Sequence, residues 1–139
     1  MHFQPNDGGR ADAGFSGEAG DCVTRSIAIA LGLPYREVYD ELAARMAATG
    51  KPRSARNGIT RKVYEDYLGE HGWRWFPTMR IGSGCTVHLR ADELPGGRII
   101  ARLSKHMCAV IDGVVHDTFD PSRDGTRCVY GYFMLEVIR

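Results

Sequence analysis

Apolar residues follow two different rhythms along this chain. Between residues 22 and 72 they recur at three- and four-residue steps, and from residue 98 onward they alternate or run together with β-branched and aromatic neighbours. The first rhythm is that of helices with one buried face, the second that of strands. Ile27, Ala28 and Leu31 form a stripe between Asp21, a good N-cap, and Gly32, a good residue just past a helix end, so a helix is predicted to begin at Cys22. Tyr35, Val38, Tyr39, Leu42 and Met46 predict a second helix to about Ala48, with Pro34 suited to its first turn. Thr60 can cap a third, whose stripe is Val63, Tyr64, Tyr67 and Leu68 and which ends near Gly72.

The rest reads as sheet. Residues 73–76 form a short aromatic strand, 98–103 alternate, and 128–138 are rich in β-branched and aromatic residues. Residues 107–111 and 114–119 flank Asp112-Gly113, the strongest hairpin signal in the chain. Residues 88–94 are expected to make one or two helical turns before Pro95-Gly96-Gly97, and the glycine-rich residues 1–20 an extended lead-in loop. Helices first and strands second is the order of an α+β domain, with N-terminal helices packed on an antiparallel β-sheet. At 139 residues it is one domain, 1–139.

Composition narrows the partners. An apolar fraction of 43% with 25% charged residues is that of a globular protein, and a formal net charge of +1 gives no global footprint for nucleic acid. No stretch approaches a membrane span, so a membrane partner is not expected, and without a secretory signature a cytoplasmic location is. Cys22, Cys85, Cys108 and Cys128 show no C-x-x-C spacing; reduced thiols are expected, with neither metal nor cofactor.

Cys22 changes the picture because it occupies the first helical position. Unpaired N–H groups and the positive end of the helix dipole there favour a thiolate. A nucleophilic thiol needs a base, and the base an acceptor that fixes its tautomer. His106, at the start of the hairpin's first strand, and Asp117 and Asp120, at the far end of its second, supply both in chain order. A two-residue type I′ turn pairs Ile111 with Val114 and leaves Asp117 as the same-face diagonal neighbour of His106; a three-residue loop with a bulge pairs Val110 with Val114 and puts Asp120 on that face. His116 competes as the base, and Cys85 as the nucleophile, though Cys85 lacks a cap and a helix behind it.

Gly20-Asp21-Cys22 opening an apolar helix, His106-Met107-Cys108-Ala109-Val110-Ile111-Asp112-Gly113 on a strand, and Phe119-Asp120-Pro121-Ser122 after it resemble the papain-like cysteine peptidase and transglutaminase group. They are also similar to small bacterial and phage proteins sharing the Gly-Asp-Cys and Asp-Gly-x-x-x-Asp-Thr elements. The resemblance implies a papain-like core, Cys22 as nucleophile, His106 as base, Asp120 as orienting acid with Asp117 in reserve, and a peptide or protein substrate. It covers residues 20–32 and about 98–122. Papain-like enzymes carry an oxyanion-donating glutamine a few residues before the cysteine; here the sixth position upstream is Ser16, and Gln4 or Asn6 could fold back instead. Three functions follow: a thiol hydrolase or acyl transferase working through a Cys22 thioester; an inactive papain-like binding module of phage or mobile-element origin; or a metal or nucleic-acid binder using Cys22, His106 and Cys108 or the basic loop at 51–56.

Overall fold

A computed structural model describes residues 1–17 and 19–136. Helices α1 (Cys22–Leu31), α2 (Tyr35–Ala48) and α3 (Arg61–Glu70) lie with a six-stranded sheet built from β1 (His2–Pro5), β2 (Trp73–Pro77), β3 (Arg98–Leu103), β4 (His106–Ile111), β5 (Val114–Asp117) and β6 (Gly131–Leu135). The strand order is β1-β5-β4-β3-β6-β2, which makes an α+β fold.

All of Val23 to Ala30 is buried, so α1 is enclosed by the sheet on one side and α2 on the other, where an amphipathic helix would leave one face wet. Gly32 stops it in the left-handed region at φ 68°, with Leu33 N–H bonded to the Ala28 carbonyl, a Schellman closure. Ile27, Leu42, Leu68, Ile100, Ala109 and Phe133 fill the core between helices and sheet. Leu89, Ile99, Leu103, Val110, Val115 and Val129 fill a second core on the opposite face. Burial on both faces explains why β3 and β4 carry nearly continuous apolar runs.

Asp112 (φ 48°) and Gly113 (φ 79°) form the two-residue turn of the hairpin, and Ile111 pairs with Val114. Both central residues lie at positive φ, the type I′ geometry whose twist matches the flanking strands. The register therefore places His106 and Asp117 on one face.

The lead-in is not all loop. His2–Pro5 adds to the edge of β5 in parallel, with Phe3 over the second core, so the sheet is mixed rather than antiparallel. Residues 88–94 make no helix; His88 forms a single bridge with Cys128 and Leu89 is fully buried, the demand for one inward side chain overriding the local helical tendency. The final strand begins at Gly131, later than expected, and Val137 and Ile138, through which it was expected to continue, lie outside the described residues. The expectation of four reduced thiols is also corrected: Cys85 and Cys128 are disulfide-bonded, with Cα atoms 5.8 Å apart, and Cys22 and Cys108 are free. Their segments are held side by side by Val129 N–H to the Val87 carbonyl (2.8 Å) and Leu89 N–H to the Arg127 carbonyl (2.9 Å), a contact across 43 residues that spacing does not signal. Among the described residues no helix is long and apolar enough to cross a membrane.

Gly131 has a packing reason for being glycine. A Cβ there would fall 2.4 Å from the Trp75 ring and 2.8 Å from the Phe76 carbonyl oxygen, both on the neighbouring strand. Gly131→Ala is expected to lower stability by about 1–3 kcal/mol, the usual range for overpacking, which urea unfolding monitored by tryptophan fluorescence would measure.

Candidate active site

Asp21 precedes α1 as its N-cap, yet its carboxylate makes no capping bond. Buried at 2% exposure, it accepts instead from the Arg25 guanidinium one turn on and from the Tyr35 hydroxyl of α2 at 2.6 Å. Arg25 spans the gap to the sheet: its other terminal nitrogen donates to Asp117 Oδ1 at 3.0 Å. Asp117 Oδ1 also accepts the Thr118 backbone N–H at 2.7 Å, and Oδ2 pairs with His106 Nε2 at 2.6 Å. The His106 side chain is 10% exposed and that of Asp117 1%. With Nε2 so engaged, Nδ1 is the ring nitrogen left for the thiol.

Cys22, His106 and Met107 line one cleft, and the thiol and the imidazole are coupled electrostatically. Burial by itself would push the thiol up, but the hydrogen bond from His106 and its charge, then the Met107 N–H and the Arg25 charge, outweigh it, so the Cys22 pKa is lowered. His106 moves the opposite way. Burial disfavours its cation, but the bonds to Asp117 and to Cys22 outweigh that and raise it to about 9. Burial likewise opposes charge on Asp117, yet His106, the Thr118 N–H and Arg25 hold its carboxyl below the usual range. The coupling thus runs one way along the site: Asp117 and Cys22 favour the imidazolium of His106, and the imidazolium favours the thiolate of Cys22. Phe119, half exposed, lies with its ring centroid 5.2 Å from that of His106.

The structure brings Cys22, His106 and Asp117 together and leaves Asp120 out. Asp120 is exposed and accepts the Ser122 backbone N–H at 2.9 Å, closing a turn of its own. The expectation that Asp120 orients the histidine is corrected on geometry, because the type I′ register puts Asp117 on the histidine's face. His116, the alternative base, faces Asn6 Nδ2 at 3.3 Å through its Nδ1. Cys85, the alternative nucleophile, is in the disulfide, and Cys108 is buried with its pKa raised first by that burial.

The upstream oxyanion candidates are engaged elsewhere. Gln4 bonds the Pro5 carbonyl, Asn6 holds Gly8 N–H and His116, and the Ser16 carbonyl accepts from Arg10; none lines the cleft at Cys22. Gly20 N–H is instead held by Asn57 Oδ1 at 3.3 Å, a side chain that sequence reading passed over. Arg25 and Tyr35 were passed over too. An arginine four residues from Asp21, the one charged residue on a helix that otherwise carries apolar and small polar side chains, was the legible signal, since a buried cation demands a partner. Among the described residues no cluster of three or more His, Cys, Asp or Glu side chains could hold a metal ion.

Comparisons with protein-family models, curated proteins and solved structures find no match for this chain.

Replacing Asp117 separates the two aspartates. Asp117→Asn leaves Arg25 with one carboxylate and His106 with none, and is expected to cost about 3 kcal/mol or more in urea unfolding. The His106 pKa, followed by NMR titration, falls from about 9 toward 6.5. Asp120→Asn, which keeps the Oδ1 that its turn requires, stays within about 0.5 kcal/mol of the parent.

Proposed function

We propose that the protein is a cysteine hydrolase or acyl transferase that acts on a peptide, isopeptide or amide bond through a Cys22 thioester. The observation that carries this reading is the buried Asp117–His106 pair at 2.6 Å, whose ring shares a cleft with Cys22 and lowers its thiol pKa. The resemblance to papain-like peptidases and transglutaminases agrees with it in the chain order of cysteine, histidine and aspartate.

The chemistry follows from the atoms present. The Cys22 thiolate attacks the carbonyl carbon, and the carbonyl π electrons move onto oxygen. Backbone N–H groups in the first turn of α1, which have no partner within the helix, face the developing charge. As the tetrahedral species collapses, the C–N bond breaks and His106 gives its proton to the departing amine, leaving an acyl-thioester and a neutral imidazole. Water or an acceptor amine then adds to the thioester carbon while His106 takes its proton, and the thiolate leaves. Asp117 keeps the ring in one orientation through both halves and stabilises the imidazolium. Arg25, bonded to Asp21 and Asp117, positions Asp117.

Iodoacetamide labelling with peptide mapping tests the nucleophile. Only Cys22 and Cys108 are free, and Cys22 is expected to react at least about a hundredfold faster, because Cys108 is both buried and protonated. In the parent the labelling rate follows a midpoint below the ordinary thiol value of 9.0; in His106→Ala burial is left with less opposition and the midpoint moves up toward or past it. The sign for stability is equally defined. His106, raised in the fold to about 9, contributes stability that is full below about 6.5 and is lost as pH rises through about 9. A Cys22 that labels no faster than Cys108 would sink the proposal.

A further inference from the structure

Two hollows flank the Cys22–His106 pair, and their charges differ. On one side a cavity of about 800 Å³ is bounded by the lead-in loop, Asp21, Arg25 and Phe119. Its cations are already engaged: Arg25 lies between two carboxylates, and Arg10 donates to the Tyr35 hydroxyl and to the Ser16 and Gly17 carbonyls. On the other side a cleft of about 240 Å³ holds Cys22 and His106 themselves, between the Gly58-Ile59 step before α3 and the turn that joins β3 to β4. Arg102 lines this cleft and also a neighbouring hollow of about 410 Å³, bounded by Trp75, Met79, Arg80 and Ile81, so the two adjoin at that residue and together make up the trough beside the thiol.

No aspartate or glutamate lines either part of that trough. Arg61, at its edge, is paired with Glu65 and lies over the Trp75 ring at 5.0 Å. Three cations remain. Arg102, half-buried, has no carboxylate partner among the described residues. Lys105, exposed in the turn immediately before His106, and Arg80, exposed on the loop beyond, have no carboxylate partner among the described residues. Beside these cations stand Met79 at 38% and Ile81 at 107% exposure, and the loop that carries them runs directly into Cys85 of the disulfide. Unpaired positive charge next to exposed apolar side chains, in a trough that opens from a thiol, complements a ligand bearing both carboxylates and apolar groups.

We infer that the trough through Arg102 and Lys105 binds an acidic polypeptide segment, with carboxylate side chains near the reacting bond and an apolar side chain against Trp75, Met79 and Ile81. The inference rests on the Cys22 reading for which bond is reacting, and on charge and shape for what is bound. A polypeptide is favoured over a nucleic acid because the overall formal charge is only +1 and apolar side chains flank the cations.

Fluorescence anisotropy on the full chain carrying Cys22→Ala tests binding without turnover. The probes are a fluorescein-tagged peptide with two glutamates and two leucines, its counterpart with lysines for glutamates, and a tagged single-stranded oligothymidine. The acidic peptide is expected to bind about tenfold or more tighter than the basic one, with affinity falling as salt is raised. Lys105→Gln, in an exposed turn, weakens it about threefold or more, and Arg102→Gln more still, whereas Lys51→Gln, outside the trough, leaves it unchanged. Equal affinity for the two peptides, or no loss in both Lys105→Gln and Arg102→Gln, overturns the inference, as does tighter binding of the oligothymidine. Iodoacetamide labelling of the parent reports on the nucleophile separately, so a reactive Cys22 with no charge preference defeats this inference alone, and acidic-peptide binding with an unreactive Cys22 defeats only the catalytic reading.

Discussion

Arg25 is the joint on which the site depends. Its guanidinium lies between two carboxylates, Asp21 at the start of α1 and Asp117 at the end of β5, and all three side chains are nearly removed from water. Buried ions are expensive to desolvate and are retained where each finds opposite charge with hydrogen bonds. Here the bonds also have direction. One bidentate group fixes the helix that carries the thiol against the strand that carries the acid, and a lysine, as a point charge, would not set that angle.

From that joint the dyad follows. Asp117 presents one oxygen to Arg25 and the other to His106, so the cation that locates the carboxylate also keeps it ionised. An ionised Asp117 raises His106, and a protonated His106 lowers Cys22. Each charge is stabilised by the next, so the thiol pKa is lowered where burial alone would raise it. Tyr35 completes the far end by donating to Asp21, tying the second helix into the same network. The surrounding apolar cores keep water from screening these interactions.

Much of this was legible in the chain, and the parts that were not share a cause. The three helices were written in stripes such as Val63, Tyr64, Tyr67 and Leu68, because a helix needs only local spacing to show its buried face. Cys22 and His106 were legible because each sits at a definable point of a local element. The choice between Asp117 and Asp120 was not, since a single residue of register exchanges the faces and both turns suit Asp112-Gly113. The first strand, the Cys85–Cys128 bond and the His88–Cys128 bridge that takes the place of a helix were also hidden, because each is made by a partner far along the chain. Arg25 was visible as an oddity on an apolar helix, while the identity of its second partner was not.

What the sequence determined by itself is the set of local commitments: where the helices start and stop, that Asp112-Gly113 turns the chain, and that a cysteine opens the first helix. Spacing, capping and turn chemistry act over a few residues, so they survive in the linear order. What the tertiary structure decided is which charges meet. The hairpin register selected Asp117, the packing of α1 on the sheet aimed Arg25 at it, and the turn after β3 set Lys105 beside the thiol's cleft. Electrostatic coupling depends on distances of a few ångströms across elements far apart in the chain, and only the packed fold sets them.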